Sequence, residues 1–225
     1  MPESPQLDPS VVRPITLRAP YKYLSEAAKA SKKAPTTSGL EYTPPKSEWL
    51  RRTWPVTHST LSMWRSARNV RITYKPYGDP NREPGVHDNL VEYENKNGKG
   101  GVKRVEGIEK PDPTFPGGWN WRGKGLLFIA SSHWEVLGYG EVELPCGGDS
   151  TETYVESWVV TWFAASLFTQ EGIDIYSDRK EGLSKETADQ IIASLKKLGV
   201  PQITQMVETQ MQKVEISLPW KEGKK

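Results

Sequence analysis

A chain of 225 residues with 30 basic and 28 acidic side chains carries a formal charge of +2, too small a field to recruit nucleic acid or an anionic membrane. One cysteine, Cys146, excludes a disulfide framework and a cysteine-based zinc site. The 19 glycines added to a hydrophobic fraction of 36% bring the chain near the ordinary globular range, and its length suits one core domain with extensions.

Residues 1–46 are rich in Pro, Ser, Lys and Thr and read as an N-terminal extension, partly flexible, with one helical stretch from Tyr23 to Lys32 that Pro35 ends. The first residues, MPESPQLDPSVVRP, have neither the charged nor the apolar region of a secretory signal. No window approaches the roughly 18 apolar residues of a membrane span, so no membrane insertion is expected. With the lone thiol, this points to a cytoplasmic protein. The lysines at Lys29, Lys32 and Lys33 and at Lys221, Lys224 and Lys225 read as solvated tails.

The main unit spans 47–215, followed by a polar tail, 216–225. Ser47 is placed to cap a short turn holding Trp49 and Leu50, ahead of a first strand near Trp54. Alternation runs from Trp64 to Tyr74, and the turn-rich YGDPNREPGVHD leads to a short strand from Asn89 to Glu94, which leaves His87 in a loop facing solvent. After the hairpin NKNGKGG the chain returns from Val102 to Ile108. Trp119–Gly140 is either one strongly bent ribbon or two hairpin-linked strands. Tyr154–Phe168 is β-branched and aromatic, and Gly172–Tyr176 stays extended. About eight strands joined by short turns predict an antiparallel meander.

The period then changes. Ser184 is an N-cap, and Ala188, Ile191, Ile192, Leu195 and Leu198 form one apolar stripe of a helix that Gly199 stops. Ile203, Val207 and Met211 suggest a second helical segment.

An all-β closed antiparallel barrel with a C-terminal α-helix resembles the lipocalin branch of the calycin superfamily, and two motifs carry the resemblance. Arg52-Thr53-Trp54 stands where lipocalins have Gly-x-Trp, with Arg52 in place of the glycine, and Tyr176-Ser177-Asp178-Arg179 stands where an Arg follows the last strand. The resemblance implies that Arg179 stacks on Trp54 to close the barrel floor. It covers roughly residues 50–200 and implies a pocket for a small hydrophobic ligand. Lipocalin-like proteins of natural-product pathways that catalyse cyclisations, including hetero-Diels–Alder reactions, share this general form.

Trp64, Trp134, Trp158 and Trp162, with Phe163, Tyr139 and Tyr154, offer flat faces for a planar or conjugated ligand, although the same aromatics would equally fill a barrel core. His58 and His133 fall in strands, and His133 shares one side of its ribbon with Ser131 and Glu135, a set able to move a proton. Arg68, Arg71 and Arg122 are strand-borne, and turned inward they would bind a carbonyl or phenolate oxygen. No second His lies at metal spacing, no nucleophile motif is present, and the glycines of WRGKG and GYG lack the strand-turn-helix context of a nucleotide loop. The expected protein is a cofactor-independent cyclase, isomerase or pericyclase. Its donors are His133, Arg122 and Tyr139, and its ligand-binding set is Trp64, Arg68, Trp134, Trp158, Trp162 and His58. A non-catalytic carrier is the rival, and a haem-binding barrel, which needs one axial His, is the third possibility.

Overall fold

The computed structural model describes residues 15–79, 81–146, 151–167 and 169–221, so Met1–Pro14, Phe168, Lys224 and Lys225 lie outside the described residues. Eight antiparallel strands follow one another: β1 (Thr53–Ser59), β2 (Ala67–Pro76), β3 (His87–Asn95), β4 (Val102–Pro111), β5 (Gly118–Gly123), β6 (Ser131–Pro145), β7 (Thr153–Phe163) and β8 (Gly172–Ser177). β1 pairs with β8 and with β2, so the sheet closes into the expected barrel. Of the two possibilities for Trp119–Gly140, the hairpin-linked one holds. Gly125, at a positive φ of 57°, opens a 3₁₀ turn over Gly125–Leu127 that reverses the chain between β5 and β6.

Alternation sorts the wall residues into two cores. Val136, Val159 and Tyr176 face inward with Trp54, Val56 and Ile72, whereas their neighbours Leu137, Trp158, Val160 and Ile175 face outward. The outward row is covered by α3 (Lys185–Lys196) and α4 (Pro201–Gln210), which supply Ile191, Leu195, Ile203 and Val207 to the outer core. Ser184 caps α3 as its sequence requires, accepting a hydrogen bond from the Thr187 amide at 3.2 Å. Among the described residues no helix is long and apolar enough to cross a membrane.

The outer core has a second cover. Residues 15–46 run along β6 as a strap, with α1 (Glu26–Ser31) capped by Ser25. The Arg18 amide donates to the Leu137 carbonyl at 2.9 Å. Such close approach requires Gly138, because a Cβ there would stand 2.4 Å from Leu17 and 2.5 Å from the Thr16 carbonyl oxygen. Arg18 is fully buried: its guanidinium meets Glu135 at 2.6 Å and lies 4.7 and 4.9 Å from the ring centroids of Tyr42 and Phe115. Burial tends to raise the Glu135 pKa, but hydrogen bonds from His133, Arg18 and the Tyr21 amide, with the Arg18 charge, hold it below the ordinary value. Burial pushes the Tyr42 phenol up to about 12.

The floor of the barrel departs from the expected closure. Arg179 stacks on Tyr154, 4.0 Å from its centroid, and Arg52 covers Trp54 at 5.2 Å and Trp49 at 5.1 Å, tethered to Asp178 at 3.5 Å. The residue in the glycine's place thus supplies the cation that was expected from the far end of the chain. α2 (Ser47–Leu50) lies here too, with Lys46 rather than Ser47 at its N-cap, and the Trp54 indole donates to the Leu50 carbonyl.

The wall has one split seam. Thr53, Trp54 and Pro55 pair with β2, whereas Val56, His58 and Ser59 pair with β8. A bulge at Asn69, whose φ is 52°, opens β2 at this level. Into the gap comes β9 (Gln212–Lys213), paired with His58 and Ser59, and the next residues continue the stitch. Val214 donates to the Thr57 carbonyl at 2.8 Å, the Asn69 amide donates to the Glu215 carbonyl at 2.8 Å, and the Ser217 amide donates to Asn69 Oδ1 at 2.7 Å.

Candidate functional site

The inward face holds a connected aromatic group with polar ends. β5 and β6 pair Trp119 with Trp134, so their indoles stack at 4.7 Å and 16°. Trp134 stacks on Tyr74 at 5.7 Å, and Trp119 on His87 at 6.1 Å. His87 is fully buried, so it is not the solvent-facing loop residue that the sequence suggests. β3 begins two residues earlier than expected and carries His87 inward with Asn89.

Directly across the β3–β4 ladder stands Glu109, 3.8 Å from His87 and 2% exposed. Burial pushes its carboxyl well above the usual range, and burial, helped by the Arg51 charge, lowers His87 to about 4. Burial thus favours the uncharged form of each group. The Trp134 indole N–H leans toward Glu109 without reaching hydrogen-bond geometry. Trp121 crosses the wall at Gly107, where a Cβ would stand 2.0 Å from its nitrogen, and donates to Asn89 Oδ1 at 3.2 Å.

A second carboxyl, Asp174 on β8, lies on the same inward face. It accepts from the Ser59 hydroxyl and, at 3.4 Å, from the Trp64 indole, and burial raises it to about 7. The phenols of Tyr74 and Tyr176 feel both acids: each is buried and pushed well above its usual range, by burial first and by the charges of Glu109 and Asp174.

Among the described residues several of these groups have no hydrogen-bond partner: both ring nitrogens of His87, Glu109 Oε2, the indole nitrogens of Trp119 and Trp134, and the Tyr176 hydroxyl. A buried polar group without a partner costs about 1–3 kcal/mol, so a folded core rarely gathers several. Their convergence marks the interior as the candidate site.

Of the residues singled out in the sequence, the interior brings together Trp64 and Trp134, and Tyr139 reaches its floor against Trp49, at 5.0 Å. Trp158 and Trp162 belong to the outer core, where the Trp162 indole donates to Glu171 at 2.8 Å. Their strand is buried on both faces, so period-2 alternation alone does not separate inner from outer aromatics. His133 faces outward, its Nδ1 3.0 Å from Asn120 Oδ1 and 3.4 Å from Asp112, its Nε2 3.3 Å from Glu135. It lines a cleft of about 300 Å³ with Ile129, Ser131, Ala164 and Leu167. His58, also outside, is lowered to about 4 by burial and by Lys213. The three arginines do not turn inward. Arg68 pairs with Glu94 at 3.1 Å, Arg71 pairs with Glu92 at 3.1 Å, and the exposed Arg122 donates to the Phe128 carbonyl at 3.0 Å. Each is held on the outer side by an acceptor there.

No protein-family model and no curated protein matches the chain. Solved structures similar to it include apocrustacyanin C1, with a TM-score of 0.51 at 11% identity over 91% of this chain and 93% of that one. Lobster apocrustacyanin A1 aligns at 0.45 and 11% identity over 92% and 93%, and lipocalin 12 from rat epididymis at 0.42 and 12% over 70% and 80%. With the closed eight-strand meander, the first of these shows the fold alone: this chain has a lipocalin-like barrel with C-terminal helices.

Proposed function

We propose that the barrel interior binds a hydrophobic, conjugated small molecule and catalyses its cyclisation or isomerisation without a cofactor, by a pericyclic, hetero-Diels–Alder-like route. What carries this reading is the set of unpartnered groups around Glu109 and His87, framed by stacked aromatics. Aromatic faces would hold the conjugated part and fix its reacting ends in a near-attack geometry, a large share of the barrier in a unimolecular closure. The Glu109 carboxyl, whose protonated form burial favours, and the indole and phenol donors would hydrogen-bond to a carbonyl or quinone-methide oxygen and stabilise charge as it grows there. Atoms balance within the substrate: two σ bonds form at the expense of two π bonds, and no proton is lost or gained.

A carrier is the second reading, favoured by the same stacked Tyr74–Trp134–Trp119 surface, which needs no acid to hold a planar molecule. One experiment separates the two. An ortho-quinone methide bearing a tethered alkene is generated in situ with the protein present. Faster ring closure with an enantiomeric excess is expected, and Glu109→Leu, which deletes the donor, should keep the quenching of tryptophan fluorescence by the substrate while cutting the rate about 10²-fold or more. Quenching with racemic product at the background rate would establish the carrier.

A further inference from the structure

The interior's charge selects among ligands that its shape alone would admit. Among the described residues, the inner core contains no Lys or Arg. The buried arginines are committed elsewhere, Arg18 to Glu135 beneath the strap and Arg71 to Glu92 on the outer wall. The cation whose charge bears on His87 is Arg51 at the floor, and Glu48 holds it at 3.4 Å. No cation offsets either interior acid: Glu109 feels burial and the Trp134 indole, and Asp174 feels burial and the donors Ser59 and Trp64.

The unpartnered atoms are mostly donors. Trp119 and Trp134 can only donate through their indole nitrogens, Tyr176 can donate its phenol proton, and His87 offers one donor and one acceptor. An anion placed among them would lie beside two carboxyl groups in a buried interior with no counter-ion among the described residues, and it would force their full protonation or lose its own charge.

We infer that the ligand is uncharged and oxygenated, a conjugated ketone, quinone or quinone methide whose acceptor oxygens meet Trp119, Trp134, Tyr176 and Glu109, and that fatty-acid-like carboxylates are rejected. This rests on the interior being the binding site, as proposed above, and adds which chemical class it takes. Two neutral donors converging on one acceptor discriminate strongly, because leaving them unpaired is costly.

The test uses two probes of nearly one shape: methyl naphthyl ketone, which is neutral, and naphthalene carboxylate, which is ionised at neutral pH. Isothermal titration of the full chain is expected to give the ketone about tenfold or more tighter binding. Trp119→Phe and Tyr176→Phe each keep a ring and delete one donor. Each should weaken the ketone about threefold to tenfold and leave the carboxylate unchanged, with two separate variants guarding against one that fails to fold. Carboxylate binding equal to or tighter than the ketone's, and displaced by it, overturns the inference while leaving the interior as a binding site. Heat from neither probe, with Trp134 unquenched, overturns the inference together with the binding reading on which it rests.

Discussion

Arg18→Ala is expected to lower the unfolding free energy by about 3 kcal/mol, because it takes the cation from the buried Glu135 and leaves only the Tyr21 amide and His133 to hold its charge. The two side chains are 0% and 2% exposed, so solvent does not screen their 2.6 Å contact. Arg18 also fills the space between Tyr42 and Phe115, and cation–π contacts of this kind contribute about 0.5–2 kcal/mol more. Urea titration followed by tryptophan fluorescence checks it. The double variant Arg18→Met/Glu135→Leu should regain most of the loss, since an apolar pair of similar volume replaces a desolvated ion pair at little cost. A single-variant loss below about 1 kcal/mol would mean that the strap is held by its backbone hydrogen bond and apolar side chains alone.

The pH profile of stability should carry the mark of Asp174. Its folded pKa, about 7, lies above the ordinary 3.8, so the folded state holds a proton that the unfolded chain releases. The stability this gives is fully present below the unfolded pKa and is lost as pH rises toward about 7. His87 and His58, both lowered to about 4, act with the opposite sign, destabilising the fold as pH falls from about 6.5 toward 4. The wild-type profile is therefore a partial cancellation, and a single variant exposes its components. Asp174→Asn keeps an acceptor for Ser59 and Trp64 and removes the titration, so its stability relative to wild type should climb by on the order of 4 kcal/mol between pH 4 and pH 7. A difference that stays flat across that window would show that Asp174 titrates alike in both states.

How much of this was legible depended on whether the inward residues were apolar. The meander, the Ser184 cap and the amphipathic stripe of α3 were readable because their patterns have one cause each, a sheet face, a helix terminus and a helix face. Trp134 was readable as an aromatic in a strand. His87 and Glu109 fell just outside the expected strands because polar residues at inward positions erase the alternation that locates a strand end, and the Gly- and Pro-rich turn made His87 look like one of its members. Places where a buried position rejects the apolar rule are where function is expected to reside. The strap was hidden for another reason. Its anchor, Arg18, is a charged residue whose burial depends wholly on Glu135, 117 positions away, and no local pattern signals a partner at that distance. Arg179 and Arg52 show the same limit. Cations at both ends of the barrel sequence could reach an aromatic face, and only the three-dimensional register decides which face each one meets.

The split seam between β1 and β2 gives synthesis a timetable. Both strands leave the ribosome long before residues 212–217, the segment that stitches them, and at about 5–20 residues per second the delay is roughly seven to thirty seconds. Throughout that interval the Thr57 carbonyl and the Asn69 amide lack the partners they have in the finished fold, and the strands present a free edge on each side of the gap. Completing the wall is therefore a late event in the life of each molecule, and the edges left open until then are those a chaperone would have to cover.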